Sequence, residues 1–245
     1  MTGDERPDTG GNGGGATERK HDGPRPRAVA VNVGANTNEP GFRAPVDAEG
    51  RFEFVPIPES EPTRVTVPTY ADLDLSMEVP ASVLDRPVHM DPEFAELPTC
   101  ERYTYGDPFG VKARPLLALR EGDYALFYAT LETASADPPA WQPPRWGAYV
   151  VGGFRLAADP LTGEEYRELD EEKRGPFANN AHVKRETFDA RVLLRGEPEG
   201  PGLTELLLSG DLEVIVGETF DLEDAVEAQA YLEDRQSVGK VVLEP

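Results

Sequence analysis

Apolar residues in this chain fall in short runs, and each run is closed by glycine, proline or charge. AVAVNV (28–33) reads as a buried strand, because six residues of that kind are too few for a helix. A long polar loop, GANTNEPGFRAP (34–45), follows, and then Asp47-Ala-Glu-Gly50 predicts a turn leading into Phe52-Glu-Phe54 as a hairpin. RVTV (64–67) predicts another short strand, and PASVLD (80–85) a helical turn. ARPLLAL (113–119) predicts a short helix opened by its proline. YALFYATL (124–131) is apolar on both alternations and predicts a central strand. GAYVVGGFRLA (147–157) predicts a second central strand, with Gly152-Gly153 marking a bulge or a close backbone approach. Thr162-Gly-Glu-Glu165 is a capping box that starts a surface helix reaching about Arg174. NNAHVKR (179–185) reads as a polar loop and FDARVLL (188–194) as a strand. Beyond the breaker GEPEGPG (196–202), the pattern predicts strand, helix and strand in quick succession.

Residues 1–27 hold no apolar side chain beyond Met1 and one Ala, so they are expected to form a disordered tail. The GGNGGG run inside it is no phosphate loop, since no strand precedes it and no helix pattern follows. The expected organisation is a tail at 1–27, a folded domain at 28–197 and an appendage at 198–245. The fold class is α+β, a mixed and mostly antiparallel sheet with short helices and long loops. Glycine and proline number 24 each in 245 residues, which argues against a helical bundle. No apolar run approaches the roughly 20 residues that cross a bilayer. The N-terminus lacks a signal-peptide pattern, so a cytoplasmic protein with no membrane partner is expected.

Charge changes this picture more than composition does. With 46 acidic against 24 basic residues the formal net charge is −22, which ordinarily speaks against nucleic acid. Only five of the basic residues are Lys (20, 112, 173, 184 and 240). An acid-rich, Lys-poor surface is expected of a protein from a high-salt cytoplasm, where molar salt screens the self-repulsion. Net charge then reports the solvent rather than the partner. Cys100 is the only cysteine, which excludes an internal disulfide and the Cys-paired zinc cage of the deaminases; we read it as structural.

Candidate chemistry gathers in three places. Asn36, Asn38 and Arg43 lie in the loop after the first strand, where amide and guanidinium groups suit a base edge or a phosphate. Asx turns within the loop would account for the same asparagines. His89 and His182, each in a polar loop, suit general acid–base work, with Asp91 or Asp107 to orient them. Their sequence spacing matches no metal-ligand pattern, so no metal is expected and no cofactor is assigned. Tyr128 and Trp146 suit a stacking wall for a flipped base, and equally the core. Tyr105, Asn180 and Lys184 complete the expected substrate-binding set. Asp137-Pro-Pro-Ala140 lacks the Tyr of the amino-methyltransferase loop, and Pro98-Thr-Cys100 is not a Pro-Cys pair. Neither a Walker loop nor a Gly-x-Ser-x-Gly elbow is present.

GDYALFYATL followed by WGAYVVGGFRL resembles the paired strands of small barrels related to the PUA and EVE modified-base readers. The block VNVGANTNEPGFRAPVDAEGRFEFVPIPE (31–59), then His89-x-Asp-Pro, then those two strands, resembles the nucleotide modification associated domain 3 family over about 28–197. The resemblance implies a role tied to nucleic-acid bases, as catalyst or accessory, with a nucleic acid or nucleotide and a modification enzyme as partners. It brings no established reaction. Phe220-Asp-Leu222 through Tyr231-Leu232, then Gly239-Lys240-Val-Val-Leu243, resembles the last helix and strand of medium-chain quinone oxidoreductases. No Gly-x-Gly-x-x-Gly loop accompanies it, so that tail reads as a remnant. A nucleobase-modifying protein is therefore the first reading and a non-catalytic reader of modified bases the alternative. An NAD(P)H-dependent quinone reductase remnant is the third.

Overall fold

The ten-residue run Tyr124–Thr133 carries the most strand contacts because every second residue is apolar and buried. The computed structural model describes residues 26–97, 99–197, 216–221 and 240–244, the last two segments as backbone only. Expectations for the N-terminal tail before residue 26 and for a helix near 223–237 lie outside the described residues. The strands are β1 (Ala28–Asn32), β2 (Pro45–Val46), β3 (Ile57–Pro58), β4 (Val88–His89) and β5 (Thr104–Asp107). They continue as β6 (Tyr124–Thr133), β7 (Trp146–Arg155), β8 (Leu161–Thr162), β9 (Val192–Arg195), β10 (Val216–Asp221) and β11 (Lys240–Glu244). The helices are α1 (Gly110–Leu117), α2 (Gly163–Glu168), α3 (Glu171–Arg174) and α4 (Ala181–Lys184).

β6 takes β1 and β2 in parallel along one edge and β7 antiparallel along the other. Further pairs are β3–β4, β5–β9 and β8–β9, all antiparallel, and β10–β11, which is parallel. The fold is α+β with mixed, mostly antiparallel sheets. Among the described residues the strands divide into four separate sheets rather than closing into one barrel. Among the described residues no helix is long and apolar enough to cross a membrane.

One face of β6 builds both halves of the core. Ala125 and Phe127 meet Phe94, Tyr105, Leu116, Phe154 and Leu194 in one cluster. Ala129 and Leu131 meet Val46, Val55, Tyr70, Val88 and Met90 in the next. The opposite face, Leu126, Tyr128 and Thr130, is only half-buried. β6 is thus central in its sheet but covered on one side, and its apolar residues on both alternations did not signal that.

Several expected elements are corrected. β1 and β7 are edge strands, with Ala28, Ala30, Trp146 and Val150 exposed, because each pairs only with β6. RVTV (64–67) makes no strand; Thr63 beside it forms a lone bridge to Arg185. α1 begins at Gly110 and holds Pro115 inside its last turn instead of opening on proline. The capping box Thr162/Glu165 is present, but Leu169 turns extended and Asp170 caps a second short helix, so the surface helix breaks in two. The segment 179–185 is not all loop: Asn180 caps α4.

The Gly152-Gly153 reading holds. Phe127 pairs with Gly152 and Tyr128 with Val150, which leaves Val151 as the bulged residue. A Cβ on Gly152 would lie 2.6 Å from the Phe94 ring, so the ring's seat against the sheet requires glycine.

Candidate functional site

Four segments far apart in sequence bring their polar side chains to one buried place. β3 pairs with β4 so that Ile57 faces His89, and Glu59, two residues past Ile57, reaches the imidazole. His89 Nδ1 lies 2.6 Å from Glu59 Oε2. From the far end of the domain, Asn180 accepts the His182 backbone N–H at 3.1 Å and starts α4. His182 Nδ1 lies 2.8 Å from Asp189 Oδ1. The two rings meet edge to face, 4.8 Å between centroids and 82° between planes.

Asp91 lies beneath both rings. Its Oδ2 is 3.5 Å from His182 Nε2 and 4.0 Å from His89 Nε2. The Gly106 N–H of β5 donates to both Asp91 oxygens, at 3.1 and 3.0 Å, and Asn180 Nδ2 donates to Oδ1 at 2.9 Å. Glycine is required at 106, since a Cβ there would stand 2.6 Å from His182 Cδ2. Arg185 closes the far side. Its Nη2 donates to Glu59 Oε1 at 2.7 Å and its Nη1 to Asp189 Oδ2 at 2.6 Å. Each imidazole therefore has a carboxylate on Nδ1 that orients the ring, with an Arg185 nitrogen 3.3 Å from the same atom, and both Nε2 atoms are turned toward one Asp91 oxygen.

The electrostatics follow from burial and pairing. Burial works against the Glu59 charge, yet hydrogen bonds from His89 and Arg185 outweigh it and hold the carboxyl at about 2. Burial likewise opposes a charged His182, but Asp189 and Asp91 raise it to about 9. Asp189 is lowered, its desolvation overcome by His182 and Arg185.

The sequence-predicted residues separate into two groups. His89, Asp91 and His182 come together, and their potential ligand atoms lie within 4.8 Å of one another. Asn180, expected to touch substrate, is fully buried and holds Asp91 and His182 in place. Asp107 and Tyr105 are buried beside this cluster, with the Tyr105 hydroxyl donating to Asp107 at 2.8 Å. Burial and the Asp91 and Asp107 charges push the phenol well above its ordinary value. Lys184 is partly buried, and desolvation lowers its ammonium.

The other residues stand apart. Asn36 Oδ1 accepts from the Asn38 and Glu39 N–H groups, an Asx turn that shapes the loop. Arg43 stacks its guanidinium 4.9 Å from the Trp146 ring centroid. Tyr128 pairs with Val150, whereas Trp146 pairs with Glu132, so the two aromatics are offset by four residues, about 13 Å along the strand. Cys100 is partly buried against the second core cluster, and burial together with Glu93 pushes its thiol up to about 11, in keeping with a structural residue.

Sequence reasoning missed Glu59 and Asp189, and the place of Arg185 between them. Asp189 sits seven residues beyond His182 and Arg185 three, a local signal that could have been weighed. Nothing local marks Glu59, whose partner Arg185 is 126 residues away.

A cavity of about 550 Å³ opens next to this cluster in sequence, lined by Phe52, Phe54, Met90, Phe94 and Tyr103 with Glu53, Asp74 and Glu96. Met90, between His89 and Asp91, belongs to its wall, whereas His89, Asp91 and His182 do not, and among the described residues no Lys or Arg lines it.

No curated protein and no solved structure matches the chain. The model of one family, nucleotide modification associated domain 3, matches residues 27–214. That span takes in every residue of the buried cluster, from Glu59 to Asp189, and the chain belongs to the nucleotide modification associated domain 3 family.

Proposed function

We propose that the chain is an enzyme of nucleobase or nucleotide modification whose working centre is His89, Asp91 and His182. One observation carries this reading. Two histidines 93 positions apart in sequence are each oriented by a private carboxylate, and both turn Nε2 toward Asp91. A purely structural network has no need to aim two rings at one point, whereas proton transfer at a positioned atom does. In this role the two Nε2 atoms are the proton-exchanging positions, Glu59 and Asp189 orient the rings, and Arg185 keeps those carboxylates ionised. Asp107, through Tyr105, packs the side wall.

A base fits the neighbouring cavity, which shares Met90 with the segment carrying His89 and Asp91. Its aromatic faces suit stacking on a planar ring, and Asp74 suits an exocyclic amino donor, since Glu53 already accepts from Ser76 and Met77 and Glu96 from Tyr103. A wall without Lys or Arg favours the nucleobase over the phosphate. In a high-salt cytoplasm the acidic surface is compatible with a polyanionic partner, because molar salt screens the repulsion. The reader alternative needs Tyr128 and Trp146 to act together, and their four-residue offset favours the enzyme reading.

The test is nucleoside mass spectrometry of digested DNA and RNA from cells with and without the gene. Loss of one modified nucleoside on deletion, restored by the wild-type gene, is the expected result. An unchanged profile would contradict the reading.

A further inference from the structure

The buried cluster has more order than proton transfer alone demands. Both Nδ1 atoms are taken up by carboxylates, with an Arg185 nitrogen also 3.3 Å from each, which leaves the two Nε2 atoms facing inward. The third inward atom is Asp91 Oδ2, on a carboxylate whose orientation is locked by Gly106 and Asn180. At 3.5 and 4.0 Å, the Nε2–Oδ2 separations exceed those of a charged hydrogen bond, about 2.7–2.9 Å. They approach the roughly 3–3.4 Å that separates two ligands held about 2.1 Å from one ion. A contraction of up to about 1.5 Å would close the three atoms around a cation.

The charges agree. Three carboxylates (Glu59, Asp91 and Asp189) face one guanidinium (Arg185), and a cation bound at His182 Nε2 takes the place of the proton that this imidazole holds in the metal-free chain. Two negative charges are left in a place where every member but Asp189 is at least nine-tenths buried. Uncompensated charge at that depth is strongly unfavourable. One divalent cation cancels both.

We propose that His89 Nε2, His182 Nε2 and Asp91 Oδ2 form a binding site for one divalent transition-metal ion. Two imidazoles and one carboxylate suit manganese, iron, cobalt or zinc, and suit magnesium or calcium poorly, since those prefer all-oxygen shells. Glu59 and Asp189 are the carboxylates behind the ligating histidines, a pattern that orients the rings and raises their basicity. Arg185 and Gly106 are positioning residues. The inference shares its residues with the enzyme reading above and deepens it, but metal binding is measured with no substrate present, so either can fail without the other.

The experiment titrates the full chain, stripped with chelator and kept in molar potassium chloride, with cobalt(II) chloride. Visible absorption and the imidazole proton NMR signals are followed together. The chain has three histidines, so the signals are few enough to assign. One saturable equivalent is expected, with the His89 and His182 signals hyperfine-shifted and the His21 signal unmoved. Glu59→Gln and Asp189→Asn should each weaken cobalt binding by about 10–100-fold, and His89→Ala with His182→Ala should remove the saturable band. His21→Ala should leave it unchanged. Absence of a saturable band in the wild type, or a shift of His21 alone, would overturn the site. So would a band that survives in the double variant. The NMR measurement uses the unmodified chain and therefore stands even where a variant fails to fold.

Discussion

The loop at 34–43 and the segment at 179–189 look alike as sequence: each is polar, follows an ordered element, and carries asparagines ahead of an arginine. Their structures use those residues in opposite ways. Asn36 satisfies N–H groups two and three residues away, and Arg43 rests on an exposed Trp146. Asn180 is fully buried and reaches Asp91, 89 residues away, while its other end holds His182. Composition described the loop and the buried hub equally well. What separates them is the sequence distance of their partners, because only long-range partners can assemble groups from different elements into one site.

Breaking the hub should cost far more than breaking the loop. The largest effect is expected for Arg185→Ala, which leaves Glu59 and Asp189 without their shared cation. Denaturant unfolding should show a loss of about 3–5 kcal/mol, against near-neutrality for Arg43→Ala. Gly106→Ala should come next, at about 1–3 kcal/mol, because its Cβ must push the His182 ring away. Asn180→Ala strands a donor and an acceptor in the interior, and a loss of about 1–3 kcal/mol is expected from the same measurement. Asn36→Ala removes a solvated turn and should stay within about 0.5–1 kcal/mol. A smaller Asn180 effect than Asn36 would reverse the comparison.

A pH series sharpens it further. His182 in the folded, metal-free chain sits at about 9, above its ordinary value of 6.5. A raised imidazole binds its proton more tightly when folded, so its contribution is complete below 6.5 and is lost as pH rises through about 9. The metal-free wild type should therefore lose stability across that window, and His182→Gln should flatten the slope. An unchanged slope in the variant would remove His182 as the source.

Much of the frame was legible in the sequence. β6, the bulge before Gly152 and the Thr162/Glu165 capping box all follow from local rules of periodicity and hydrogen bonding. The misreadings share a cause. RVTV has the composition of a strand but no partner strand, and whether a strand forms depends on what lies beside it. The edge positions of β1 and β7 are likewise set by pairing and not by their own residues. At the site, His89, Asp91 and His182 could be picked out by residue type, since buried or polar-loop histidines are few. Glu59 could not, because it is one of 46 acidic residues and only the β3–β4 pairing carries it to His89.

The most direct measurement is the nucleoside profile of deletion cells complemented in parallel with three genes. These are the wild type, the His89→Ala/His182→Ala variant and the Asn36→Ala/Arg43→Ala variant, with near-UV circular dichroism on each purified protein to confirm folding. The account predicts that wild type and loop variant restore the missing modified nucleoside while the folded histidine variant does not. Restoration by the histidine variant, with failure of the loop variant, would contradict it.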